Sequence, residues 1–129
     1  MLQPGIKGKQ TVTVTHERTA AYYGSGALEV FATPAMVALL EETAWKSVQP
    51  ALSDGQGTVG TRVDVRHIAA TPCGMQVTCE SELVEIDRRR LVFKVEVYDE
   101  TGKVGEGTHE RFIIQNDKFL AAAKEKGLA

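Results

Sequence analysis

Apolar residues follow a helical repeat in one long stretch of the chain, residues 31–52, with the sequence FATPAMVALLEETAWKSVQPAL. Thr33 is a favourable N-cap residue, Pro34 suits the first helical position, and Pro50 marks the far end. The spacing predicts a central helix of about four turns. One apolar row on it has a spacing of four residues: Met36, Leu40, Ala44 and Val48.

Other segments alternate polar and apolar residues with the period of a half-buried strand, namely residues 8–17, 58–70, 75–86, 91–100 and 103–115. Short turns join the last four, which favours antiparallel pairing. A single long helix must bury its apolar face against that sheet. We therefore expect an α+β fold in which a five-stranded antiparallel sheet wraps around the central helix. A short terminal helix is expected over 116–127.

Two further parts of the chain are rich in glycine. Gly105 and Gly107 fall on one face of the last strand, and we expect the central helix to approach the sheet there. Residues 20–30, with Gly24, Ser25 and Gly26, predict an irregular segment that leads into the helix.

Three polar residues, Thr33, Glu41 and His67, lie at the helix start or beside predicted apolar faces, where they could take part in catalysis. Glu41 lies beside the apolar stripe of the helix, whereas Glu42 has Lys46 four residues on and belongs to the solvent face. His67 lies on the apolar face of the strand 58–70, and Thr33 lies at the helix start. A carboxylate near a core must be paired, hydrogen-bonded or neutral, although a boundary glutamate that reaches water is the simpler alternative.

The chemistry of these groups is complementary. The helix start offers unpaired N–H groups and the positive end of a dipole, which suit a developing oxyanion. A carboxylate and an imidazole together supply general acid–base capacity. The set Thr33, Glu41 and His67 would suit acyl transfer to water, but an ordinary structural role for each residue remains the alternative.

The composition narrows the class of protein. The 129 residues predict one domain, 1–129, of which 43% are hydrophobic and 25% charged. A net charge of −2 gives no electrostatic reason to expect nucleic acid or an anionic membrane as partner. The first ten residues lack the apolar core of a signal peptide, so a cytoplasmic location is expected. Cys73 and Cys79 predict neither a disulfide framework nor a metal site.

Three stretches of the chain resemble the hot-dog-fold thioesterases, most of all the fluoroacetyl-CoA thioesterase-like subgroup. They are VFATPAMVALLEETAW (30–45), GTVGTRVDVRHIAATPCG (57–74) and GEGTHERFII (105–114). The similarity extends over about residues 29 to 120. It implies a hot-dog fold, in which a sheet wraps around the helix.

The resemblance also implies an active site. It assigns catalysis to a threonine at the helix start, a glutamate within the helix and a histidine on the next strand. These are Thr33, Glu41 and His67 here. It assigns substrate binding to Gly60, Phe31, Pro34 and Ala35.

The implied activity is hydrolysis of a small or medium acyl-CoA by a homodimer or dimer of dimers, with active sites at the subunit interface. CoA would leave as the thiol, so no separate cofactor is expected. The fluoroacetate-specific enzyme has bulky apolar residues before the helix, whereas this chain has YYGSGALEV (22–30), which leaves the acyl group open. Glu41 could act as the base or as the nucleophile. Two other functions remain alternatives: a non-catalytic acyl-CoA-binding protein and a hot-dog hydratase.

Overall fold

The computed structural model describes residues 1–128, in which five strands form one antiparallel sheet, as predicted. Strands β2 and β1 lie at its two edges, and β4 lies at its centre, in the order β1-β3-β4-β5-β2. The strands are β1 (Lys7–Thr13), β2 (Gln56–His67), β3 (Gln76–Asp87), β4 (Arg90–Tyr98) and β5 (Lys103–Gln115).

The central helix packs against the inner face of this sheet. The helices are α1 (Ala20–Tyr23), α2 (Thr33–Val48) and the terminal α3 (Asn116–Glu125). The predicted apolar row of α2 is buried, as are Leu39 and Thr43 on one side of it, whereas Val37 on the other side is half-buried. Each fully buried Leu or Met side chain stabilises the fold by about 1.5–3 kcal/mol. No helix within residues 1–128 is long and apolar enough to cross a membrane.

The start of α2 differs from the prediction, because Ala32 and not Thr33 is the N-cap. The Ala32 backbone is extended, with φ −77° and ψ 143°, and its side chain makes no capping hydrogen bond. Tertiary contacts are the cause: the amide of Phe31 donates to the carbonyl of Thr71, and the amide of Ala32 donates to the carbonyl of Arg18. These bonds keep Ala32 extended and make Thr33 the first helical residue. The Thr33 hydroxyl is therefore free to bond elsewhere.

A β-bulge in β2 decides which of its side chains face α2. The register of β2 against β5 shifts between Gly60 and Arg62, so Thr61 is an extra residue. Because of it, Gly60 before the bulge and His67 after it face the same side of the sheet, although one number is even and the other odd. The predicted inner face of residues 61–67 is therefore right for His67 and wrong for Thr61, which is exposed.

The glycines of β5 allow close packing against two different elements. A Cβ on Gly105 would lie 2.5 Å from the sulfur of Met36, so the predicted approach of the central helix is confirmed there. A Cβ on Gly107 would instead overlap the carbonyl of Asp64 and the backbone of Val65. At Gly107 the prediction is wrong, since the close neighbour is β2.

Candidate active site

Thr33 and His67 form the first of two polar groups, the Thr33–His67 pair. Thr33 begins α2 and His67 ends β2, and Oγ1 of Thr33 lies 2.8 Å from Nδ1 of His67. The ring of Phe31 packs edge-to-face against the imidazole, with 6.1 Å between the ring centroids. The hydrogen bond and the packed ring together set the orientation of His67.

The imidazole of His67 is suited to proton transfer. Burial lowers the pKa of His67 below its ordinary value of about 6.5, because desolvation disfavours the imidazolium form. Its Nε2 is buried and has no hydrogen-bond partner among residues 1–128. A neutral imidazole whose Nδ1 is bonded to a hydroxyl has Nε2 available to accept or donate one proton.

The second group, the Glu41–Arg111 cluster, consists of Glu41, Gly60, His109 and Arg111. Nη1 of Arg111 lies 3.5 Å from Oε2 of Glu41, and only 7% of the Arg111 side chain is exposed, against 39% for Glu41. A Cβ on residue 60 would overlap the Glu41 carboxylate. Glycine at this position therefore lets the carboxylate lie against the backbone of β2.

The neighbouring carboxylate of Glu42 has a different environment. It accepts a hydrogen bond from the side chain of Gln10 and lies 3.2 Å from Nζ of Lys46. The hydrogen bond from Gln10, followed by the contact with Lys46, lowers the pKa of Glu42. The predicted pairing of Glu42 with Lys46 is confirmed, and Glu42 lies outside both polar groups.

Within one chain the two groups lie apart. Thr33 and Glu41 are eight residues apart on α2, which separates their Cα atoms by about 12 Å. Along the sheet, His67 and Gly60 are seven residues apart on β2. In the part of the chain that the structure describes, no hydrogen bond or ion pair joins the two groups. The sequence predicted Thr33, Glu41 and His67 as one set; the fold brings Thr33 to His67 and Glu41 to Arg111.

Sequence reasoning missed two members of the cluster, His109 and Arg111. Their exposed fractions are 0% and 6%, among the lowest of any polar residue in the molecule. Both lie on the inner face of β5, where they alternate with outward residues and share a face with Gly105 and Ile113. Two titratable residues on the apolar face of a strand were the available signal.

The other predicted substrate-binding residues lie around the helix start. Pro34 is exposed and Ala35 is buried in the first turn of α2, whereas Phe31 is 2% exposed and packs against His67. The predicted irregular segment before them contains the short helix α1 and, at Val30, an isolated bridge to Pro72. It is tied to the helix entry by a hydrogen bond from the amide of Ala20 to the carbonyl of Val30.

A sheet wrapped around one long helix, with a carboxylate and a neutral imidazole on its inner side, defines a hot-dog-fold hydrolase. The family model described as fluoroacetyl-CoA-specific thioesterase matches residues 14–117. The chain belongs to this family, which places it among the enzymes that hydrolyse acyl-CoA thioesters.

Individual relatives agree with this assignment. The fluoroacetyl-CoA thioesterase of Streptantibioticus cattleyicolor is 43% identical over 98 residues, which are 76% of this chain and 70% of the relative. A variant of a fluoroacetyl-CoA-specific thioesterase, crystallised with fluoroacetate and CoA, is 35% identical and has a TM-score of 0.86, with 92% of this chain and 99% of that chain covered. A Thermus thermophilus member of the thioesterase superfamily is 28% identical, with a TM-score of 0.90 over 98% of this chain and 94% of that one.

Proposed function

We propose that the protein hydrolyses small or medium acyl-CoA thioesters to the free acid and CoA. The observation that carries the proposal is the Glu41 carboxylate, held by Arg111 beside Gly60 on the inner side of a hot-dog sheet. A relative of the same family binds CoA, which supports CoA as part of the substrate. CoA then leaves as a product and is not a resident cofactor.

In the proposed reaction Glu41 takes a proton from water, and the water oxygen attacks the thioester carbonyl carbon. The carbon–sulfur bond breaks and the sulfur takes a proton from Nε2 of His67, while the proton held by Glu41 passes to the imidazole in the same step, so that no imidazolate anion forms. Thr33 sets this tautomer by donating its hydroxyl proton to Nδ1 of His67. After the carbon–sulfur bond breaks, Glu41 is again a carboxylate and His67 is again a neutral imidazole, so the enzyme is unchanged.

The oxyanion formed by this attack needs hydrogen-bond donors. The first amides of a helix have no partner within the helix, and they carry the positive end of its dipole. Pro34 has no N–H, and the amide of Met36 donates to the carbonyl of Ala32, which leaves the amides of Thr33 and Ala35 as candidates. The amide of Gly60 is a third candidate.

Glu41 has one alternative role in the same reaction. Its carboxylate oxygen could attack the thioester directly, giving a mixed anhydride that water then hydrolyses. A single turnover in ¹⁸O-labelled water, followed by mass spectrometry of the Glu41 peptide, tests for the nucleophile. Label in the carboxylate shows that an anhydride formed, whereas label only in the released acid is expected both for the base and for an anhydride that water attacks at its acyl carbon.

We further propose a homodimer in which each active site contains residues of both subunits. Strand β2 is a free sheet edge in one chain, and Val63 on it is 39% exposed. Antiparallel pairing of β2 with its symmetry copy, with the two-fold axis at Asp64 and Thr61 left as the extra residue of each strand, places Gly60 opposite His67 of the partner subunit. The Glu41–Arg111 cluster of one subunit then meets the Thr33–His67 pair of the other. Light scattering should give at least twice the chain mass of 14.0 kDa.

Subunit complementation tests the shared site. Glu41→Gln and His67→Asn should each be inactive alone. When the two variants are coexpressed, half of the dimers are mixed and each mixed dimer has one intact site, so about a quarter of the wild-type activity should return. If all catalytic residues belong to one subunit, every site carries one substitution and no activity returns.

The acyl group is proposed from the segment before α2. Residues Gly24 to Ala27 are small and exposed, so they offer little apolar bulk to cover a very small acyl group. We expect acetyl-CoA and somewhat longer acyl-CoAs to be hydrolysed without a strong preference for fluoroacetyl-CoA. Thiol release from a panel of acyl-CoAs measures this, and a preference of about a hundredfold or more for fluoroacetyl-CoA would contradict it.

We also propose a cytoplasmic location. Both cysteines are free thiols, with Cys73 exposed and Cys79 buried, as is usual in a reducing compartment. Cell fractionation with an antibody to the protein tests this proposal.

A further inference from the structure

His109 is a fully buried polar residue that the reaction above does not use. Its ring stacks on Phe93, with 6.2 Å between the centroids and 29° between the planes. Both ring nitrogens have partners: Nδ1 lies 2.8 Å from the carbonyl oxygen of Arg62, and Nε2 lies 3.1 Å from Nη1 of Arg111. His109 therefore links the backbone of β2, at Arg62, to the side chain of Arg111 on β5.

The bulge in β2 determines the tautomer of this histidine. Arg62 is the first residue after the extra residue Thr61. Its carbonyl oxygen can only accept a hydrogen bond, so Nδ1 of His109 must carry the proton. Nε2 then holds a lone pair and accepts from Nη1 of Arg111. Burial, reinforced by the nearby Arg111 cation, lowers the pKa of His109 and keeps the ring neutral.

Arg111 is in turn held by acceptors of the framework. Its Nε lies 2.8 Å from Oγ1 of Thr58 and its Nη2 lies 3.0 Å from the carbonyl oxygen of the same residue. The acceptor on Nη1 is His109, and the same nitrogen approaches Glu41 at 3.5 Å. A buried guanidinium is stable only when its donors are paired, so Thr58 and His109 together decide where the cation lies.

We propose that His109 is a positioning residue for thioester hydrolysis, and that its neutral Nε2 holds the Arg111 guanidinium against the Glu41 carboxylate. The proposal rests on the proposed function of Glu41. His109 itself has no exposed surface, so it acts through Arg111. Without its acceptor, Nη1 of Arg111 moves toward another partner, and the carboxylate loses the orientation needed for proton abstraction.

Kinetics of four variants, one of them a double variant, test this role. His109→Phe keeps a ring against Phe93 but cannot accept from Arg111. It should lower kcat by about a hundredfold, the usual effect of a displacement of about 1 Å at a catalytic group, while KM stays within a few fold. His109→Gln restores a side-chain acceptor and should recover most of this loss. In an Arg111→Met background, His109→Phe should cause no further loss.

A control separates positioning from stability. Val77→Ala removes buried volume on β3, two strands away from β5, and should lower the melting temperature with little change in kcat. If His109→Phe retains wild-type kcat, or if His109→Gln is as slow as His109→Phe, the positioning role is wrong. A wild-type enzyme that hydrolyses no acyl-CoA would instead contradict the thioesterase proposal, and this one with it.

A measurement on the wild-type protein does not depend on any variant folding. Nitrogen-15 NMR of labelled histidine at neutral pH should show His109 with a protonated Nδ1 and an unprotonated Nε2. Detection of the opposite tautomer, or of an imidazolium, would overturn the proposal.

Discussion

The Thr33–His67 pair and the Glu41–Arg111 cluster differ in how the fold holds them. The pair joins the first residue of a helix to the last residue of a strand through one hydrogen bond, and Thr33 is exposed. The cluster joins Glu41 of α2 to strands β2 and β5, and Arg111 in it donates to Thr58, His109 and Glu41. Turning His67 costs one hydrogen bond, whereas moving Arg111 leaves a buried cation unpaired.

This difference indicates that the Glu41–Arg111 cluster is the more rigid part of the site. The buried charge of the cluster is Arg111, and leaving a buried charge without partners typically costs about 3–5 kcal/mol, far more than the loss of one partly exposed hydrogen bond. Changes in the cluster should therefore affect both rate and stability. Changes in the pair should affect mainly the rate.

The largest expected effect comes from Glu41, compared with its neighbour Glu42. Glu41→Gln keeps a side-chain oxygen that accepts from Arg111 but removes the base, so kcat should fall by about 10³–10⁴-fold in a folded protein. Glu42→Gln is the matched control, since Glu42 pairs with Lys46 outside the site. Its kcat should stay within about twofold, because an exposed i,i+4 pair contributes little. Equal hydrolysis by the two variants would make Glu41 an ordinary boundary residue.

A smaller effect is expected from Gly60→Ala, which fills the space that the Glu41 carboxylate occupies. The Cβ of Gly60→Ala would overlap the Glu41 carboxylate and lie 3.2 Å from Nη1 of Arg111. The carboxylate must shift, and we expect a loss of about a hundredfold in kcat. The control is Gly127→Ala, whose added carbon has no atom within 4 Å among the described residues. Wild-type kcat in Gly60→Ala would show that the observed position of Glu41 is not the catalytic one.

The smallest effect concerns pH and stability. Burial lowers the pKa of both His67 and His109 below the ordinary value of about 6.5. Between pH 7 and pH 5 the unfolded chain therefore binds protons that the folded chain does not, and the free energy of unfolding falls as the pH falls. We expect the melting temperature to be lower at pH 5 than at pH 7, by a few degrees at most.

His109→Gln removes one of these titrating groups and should reduce the difference in melting temperature between pH 7 and pH 5. Melting temperatures at pH 7 and pH 8, where neutral imidazoles do not titrate, give the baseline for each variant. If the difference in melting temperature between pH 7 and pH 5 is the same in His109→Gln as in the wild type, His109 does not contribute to the loss of stability at acid pH.

Local periodicity in the sequence was sufficient to predict the central helix and the five strands, but not the short helix α1. A repeat of four residues predicts α2, and its phase alone separates Glu41 from Glu42. Alternation predicts the five strands, since side chains of a strand point to opposite faces with a period of two. These properties depend on residues close together in the chain, so they can be predicted without knowledge of the fold.

Only the tertiary structure decided how the site is assembled. Ala32 replaces Thr33 as the cap because Thr71 and Arg18 hold the chain entering α2. The bulge at Thr61 depends on pairing with β5, and it joins His109 to a carbonyl 47 positions earlier in the chain. Strand register and bulges come from contacts between distant residues. For that reason the helical phase of Glu41 was readable from the sequence, while its partners on β5 were not.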